Sequence, residues 1–353
     1  MSNDGDGQLL DGFPIHPLWR YSNFRNVTFK REPETHPNLY EIDEPENNID
    51  EVVYDRMKPG LRLATLFLEQ ATPELARIYY AGLEPVANAA GHPGQRLREW
   101  RDTPAKQRAL NNELTRVAKW YRITKLEDQG GDPQDVCPHI KEDTAVTDLE
   151  YAPGHTRPLP IFWPRTSMSE VWQAFFERRD WDTIGETEKE IRLLLLAVTL
   201  IHELAHVVWF HRLTAKYVLA RKRGPQDFSD LDFNESEPMF EGRPWAECGY
   251  VIEETMLGGF LSYSNSVRNM NTPAGFSIPP TDRVLFTRKW WTAPGQGVWR
   301  VNAVKPYWIS EFFSEDTWER DTNGTFLGNF YLVRERLDEA YQGLRYTLVN
   351  API

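Results

Sequence analysis

Apolar residues recur at helical spacing in several stretches of the chain, and Pro and Gly punctuate them. Leu110, Leu114, Val117 and Tyr121 fall on one face of a segment that has Thr103 as N-cap and Pro104 at its first position, predicting a helix over 104–121. Two shorter helices are predicted over Leu61 to Gln70 and Pro73 to Ala81. The strongest signal starts near Thr187, where Glu190 three residues later completes a capping box. From there to about Lys222 no Pro or Gly interrupts the pattern, and Gly224-Pro225 ends it. A polar, acidic loop over 226–242 follows. Pro244 then opens a second helix, Trp245 to about Leu257, which Gly258-Gly259 closes.

The rest of the chain reads as irregular structure or short strands. Residues 1–60 form an extended arm, disordered over its first twelve residues and anchored by Phe13, Trp19, Tyr21, Phe24 and Phe29. Residues 127–160, rich in Gly, Pro and Asp, make a long loop or a connection between lobes. Ile161-Phe162-Trp163 fits a short strand between Pro160 and Pro164. The C-terminal part mixes strand-like runs with a last helix near Val333 to Tyr341. The pattern as a whole predicts an α+β, mainly helical fold, with residues 61–353 forming a single domain.

Composition narrows the function classes. Aromatics make up 13% of the chain, including 13 tryptophans, far more than a disordered chain holds. The net charge of −12 disfavours a nucleic-acid groove and docking on anionic lipid. Two cysteines, Cys137 and Cys248, are too few for a disulfide-stapled secreted protein. The start MSNDGDGQLLDGF lacks the basic and apolar regions of a signal peptide, and the apolar run Leu193 to Ile201 is too short to span a bilayer. The expectation is a cytoplasmic protein that binds neither nucleic acid nor membrane; its oligomeric state is not legible.

The chemistry is concentrated in His202-Glu203-Leu204-Ala205-His206. Helix positions four apart lie about 40° apart around the axis, so His202 and His206 project from one face and share a metal ion. Imidazole nitrogens suit Zn²⁺, and Glu203 beside them is placed to move the proton of a metal-activated water. Burying these groups in so apolar a helix without a partner is costly, which a metal offsets. His211, nine residues past His202, faces about 180° away. The metzincin pattern would need a histidine at 212, where this chain has Arg212. A third ligand is therefore sought in the second helix. Glu247 and Glu254 share a helix face, while Glu253 lies off it and reads as a solvated charge. Glu247 is assigned as the third ligand, with Glu254 the alternative and the other of the two orienting a ligand histidine. Cys137-Pro138-His139 reads as a plain loop, Cys248 as a small core residue, and Arg221-Lys222-Arg223 as a basic run suited to a helix C-terminus.

His202-Glu203-Leu204-Ala205-His206 followed by a glutamate-bearing helix resembles the gluzincin branch of the zincin metallopeptidases, and is similar to fungal HExxH proteins. The resemblance covers roughly residues 187–260. It implies a zincin-like core around the long helix and a zinc-dependent hydrolase, a metallopeptidase, with Glu203 as catalytic base. It also implies an oxyanion donor, for which Tyr250, Tyr217 and Tyr263 are candidates. The family's carboxylate four residues after the ligand is absent, since Val251 stands there. Two other readings stay open: a metalloenzyme acting on a small metabolite, and a catalytically idle metal-binding protein.

Overall fold

Two prolines, Pro59 and Pro73, sit inside the first long helix of the computed structural model. The structure describes residues 9–25, 27–31, 39–43, 47–87, 93–119, 121–125, 145–149, 164–168, 170–223, 237–238, 240, 247–257, 260–262, 286–293, 296–303, 306–319 and 346–349. The order is β1 (Val27–Arg31), β2 (Leu39–Asp43), α1 (Glu51–Tyr80), β3 (Leu83–Ala87), β4 (Pro93–Leu97), α2 (Pro104–Val117), β5 (Arg122–Lys125), β6 (Ala145–Leu149), β7 (Pro164–Met168) and α3 (Glu170–Phe176). There follow α4 (Glu186–Arg223), α5 (Cys248–Leu257), β8 (Phe260–Ser262), β9 (Phe286–Ala293), β10 (Gln296–Ala303), α6 (Pro306–Glu311), α7 (Glu315–Trp318) and β11 (Tyr346–Val349). The fold is mainly helical, and α4 carries the His-Glu-x-x-His residues.

α1 corrects two expectations. It begins at Glu51, inside the expected arm, and it runs unbroken where two helices were predicted. A proline inside a helix removes one backbone hydrogen bond. Here burial overrides that loss: Leu61, Leu63, Ala64, Phe67, Leu75, Ala76 and Ile78 are all buried along the helix. Thr72 also donates its hydroxyl to Leu68 O at 2.7 Å, just ahead of Pro73.

α1 packs along α4. The crossing is close at Gly60, where a β-carbon would stand 2.9 Å from Leu193 O. Leu194, Leu196, Ala197, Leu200, Ile201, Leu204, Ala205, Val207 and Val208 of α4 are buried, so the helix is apolar nearly all round, as a central helix is. The stretch Glu186–Leu213 would suffice by length and apolarity to cross a bilayer, and 78% of its most apolar window is buried inside the protein. α4 starts at Glu186, and Glu190 accepts from the Ser310 hydroxyl at 2.5 Å rather than closing a capping box.

The other faces of α4 are covered by α5, by α6, and by the sheet β5-β7-β6. In that sheet β5 runs parallel and β6 antiparallel to β7, so the stretch read as a loop contains a strand. The β5 side is covered by a bridge from Phe24 and by the Asn48 amide, which donates to Ile123 O at 2.9 Å. Trp19 and Phe24 are buried, so part of the expected arm belongs to the core. β3 and β4 form a hairpin, β1 pairs with β2, and β8–β11 make a separate antiparallel sheet. The strand expected at 161–163, the helix expected at 333–341 and Cys137-Pro138-His139 lie outside the described residues.

Candidate metal centre

His202, Glu203 and His206 form a cluster able to chelate a metal ion. Each offers a nitrogen or oxygen ligand atom, and these atoms lie within 4.8 Å of one another. α4 supplies all three, with His202 and His206 about one helical turn apart, from a stretch whose neighbours Leu200, Ile201, Leu204, Ala205, Val207 and Val208 are buried apolar side chains. Glu203 is 4% exposed, while the histidine side chains each keep 17%.

α5 brings a glutamate to the same place. Glu247 Oε1 stands 3.4 Å from His202 Nε2 and 2.8 Å from His206 Nε2. Glu247 precedes the first helical residue of α5, and its carboxylate accepts the N–H of Gly249 at 3.1 Å and of Tyr250 at 2.5 Å. It thus caps the helix N-terminus, where a carboxylate is favoured by the dipole, and the cap fixes its orientation. Gly249 makes room: a β-carbon there would stand 2.5 Å from Cγ and Nε2 of His202.

The opposite ring nitrogens also meet carboxylates. His202 Nδ1 lies 2.7 Å from Glu253 Oε1, and His206 Nδ1 makes a short hydrogen bond with Glu237. Glu253 is buried, and its other oxygen accepts the Leu261 N–H at 3.1 Å. This corrects the reading of Glu253 as a solvated charge. The helix starts at Cys248, not Trp245, so Glu247 is a cap and its helical phase does not extend to Glu254. The visible signal is Gly249: Glu253 follows it by four residues on the same face. Nothing in the sequence distinguishes Glu237 from its neighbours in the acidic loop.

Imidazoles and carboxylates in the cluster shift one another's titration. Burial pulls the His202 and His206 imidazolium forms down, but the surrounding carboxylates outweigh it. Glu247 and Glu253 hold His202 well above its ordinary value, and Glu237 and Glu247 hold His206 up at about 10. Burial likewise pushes Glu247 up, and the two histidines more than reverse it, leaving its carboxyl well below the usual range. Burial, with Glu237 and Glu247 adding to it, raises the Cys248 thiol.

The remaining candidates separate cleanly. His211 stacks on Tyr79 at 5.4 Å and lies 3.5 Å from Glu113, away from the cluster. Arg212 donates to Ile78 O and Ala81 O at 2.6 Å each, so it caps α1. Tyr250 sets its ring edge-on to His202 at 5.1 Å. Tyr217 lies on α4, and Tyr263 falls outside the described residues. Comparison of the chain with protein-family models, with curated proteins and with solved structures gives no match.

Proposed function

We propose that the protein is a zinc-dependent hydrolase in which His202, His206 and Glu247 hold the ion and Glu203 is the catalytic carboxylate. The observation that carries this reading is the convergence of both Nε2 atoms on one Glu247 oxygen while both Nδ1 atoms are held by other carboxylates. With Nδ1 engaged, Nε2 is the nitrogen left to coordinate. Ligand atoms about 2.05 Å from a tetrahedral ion stand about 3.3 Å from one another. The 3.4 Å separation of His202 Nε2 from Glu247 Oε1 fits that spacing, and the 2.8 Å separation at His206 needs only a small opening. Two imidazoles and a carboxylate are also a donor set of catalytic zinc, which leaves a position open.

When bound, the ion supplies Lewis acidity, which brings the pKa of water toward neutrality. The chain's own residues do the rest. Glu203 takes the proton of the attacking water and delivers it to the leaving group. We assign Tyr250, whose ring lies edge-on to His202, as the donor toward a developing oxyanion. We favour a peptide substrate over a small metabolite because β6, the outer strand of its sheet among the described residues, packs against α4. A strand in that position offers backbone groups on which an extended peptide can pair.

Glu203→Gln against His202→Ala tests the assignment. The glutamine is nearly isosteric but cannot take the proton, so zinc should stay bound while turnover on a peptide library falls by about 10²–10⁴ or more. The alanine should lose the metal itself. Turnover undiminished in Glu203→Gln would falsify the role given to Glu203.

A further inference from the structure

Glu237 reaches the centre from the segment between α4 and α5, and its two oxygens do different work. One meets His206 Nδ1 in a short hydrogen bond. The other accepts the backbone N–H of Cys248 at 2.6 Å. Cys248 directly follows Glu247, whose Oε1 lies 2.8 Å from His206 Nε2. The contacts close a ring: Glu237 to His206, His206 to Glu247, and the Glu247–Cys248 peptide back to Glu237. A single carboxylate therefore braces an imidazole from behind and the backbone that carries the facing carboxylate.

We infer that Glu237 is a positioning residue for the metal centre, setting the separation of His206 from Glu247 and keeping the His206 proton on Nδ1. The inference rests on the metal reading given above. Glu253 differs in reach. It ties His202 to the Leu261 N–H of β8 and, among the described residues, makes no comparable hydrogen bond to the backbone beside Glu247. Loss of Glu253 frees one imidazole. Loss of Glu237 frees an imidazole and loosens the peptide beside a second ligand. A carboxylate is required because both partners donate, each to its own oxygen. A glutamine has one acceptor oxygen, so it can serve His206 or Cys248 but must turn its amide N–H₂ toward the other donor.

The test is a zinc titration of the metal-stripped full chain against a competing chelator, for wild type, Glu237→Gln, Glu237→Ala, Glu253→Gln and His206→Ala. Cobalt substitution is run alongside to read the ligand field. Carboxylates that brace metal-bound histidines are worth about 10–100-fold in metal affinity. Glu237→Ala should lose affinity by about that factor and Glu237→Gln by less, both with a cobalt spectrum shifted from wild type. Glu253→Gln should lose less than Glu237→Ala. The metal-free variants should keep the wild-type helical circular dichroism, even though the lost hydrogen bonds lower their melting temperature, which separates positioning from a general loss of fold. If Glu237→Ala does not fold, Glu237→Gln decides the matter alone. Wild-type zinc affinity with an unchanged cobalt spectrum in a folded Glu237 variant overturns the inference and leaves the metal reading standing. A wild-type chain that binds no zinc, with His206→Ala indistinguishable from it, overturns both.

Discussion

Gly249 lies against the imidazole of His202 so closely that any larger residue would meet the ring, with a β-carbon 2.5 Å from Nε2. The first turn of α5 approaches α4 at this glycine, and the approach brings Glu247 within reach of both histidines. Gly249→Ala should push the His202 ring aside, because the ring yields before two packed helices do. The expected result is a folded chain whose zinc affinity falls by about tenfold or more. Chelator competition measures this directly. Unchanged affinity would mean that His202 does not bind from this position.

Arg212 stands where a different branch of zinc enzymes would need a histidine, and its guanidinium closes the C-terminal end of α1 instead. It donates to Ile78 O and Ala81 O and lies over the Trp209 ring at 5.3 Å. Arg212→Ala leaves two buried carbonyls without their charged donor, which should cost about 2–4 kcal/mol. Urea unfolding of the metal-free chain checks it. Zinc uptake should be little changed, since the guanidinium donates to the end of α1. Wild-type stability in the variant would show that this cap does not join α1 to α4.

His16 supplies a pH dependence with a definite sign. Burial, with Arg20 adding to it, lowers its pKa from 6.5 to about 4. The neutral ring accepts the Leu18 N–H at 3.3 Å. Because the folded value is the lower one, the unfolded chain binds the extra proton between the two. The contribution to stability is complete above about pH 6.5 and is lost as the pH falls through about 4, a change of about 3 kcal/mol. His16 is the N-cap of a 3-10 turn, Pro17–Trp19, and His16→Asn keeps an acceptor there but does not titrate. The stability advantage of wild type over the variant should therefore shrink by about that amount between pH 7 and pH 4. A difference that stays flat across the range would mean that His16 is not held neutral in the fold.

Local signals carried the reading of the long helix and its histidines. Helical periodicity and the lack of any Pro or Gly located α4 to within a residue or two, and the cap at Thr103, which accepts the Lys106 N–H at 3.3 Å, located α2. Helical phase points to Glu247, yet it meets the histidines as a helix cap, a position where that phase does not apply. The same three-residue error in the start of α5 hid Glu253. The prolines of α1 signal a break in the sequence because propensity is local, and the burial that overrides it is not. Glu237 was illegible for a similar reason. Its partners, His206 and Cys248, are distant in sequence and are brought to it only by the packing of α5 on α4.

His202, His206 and Glu247 should together hold one zinc ion. Elemental analysis combined with zinc-edge X-ray absorption, on protein purified without chelator, tests it most directly. About one zinc per chain is expected, bound by two imidazole nitrogens and carboxylate oxygen at about 2.0–2.2 Å, with no sulfur despite the neighbouring Cys248. A chain that holds no zinc and takes none up on reconstitution, or a shell containing sulfur near about 2.3 Å, would contradict it.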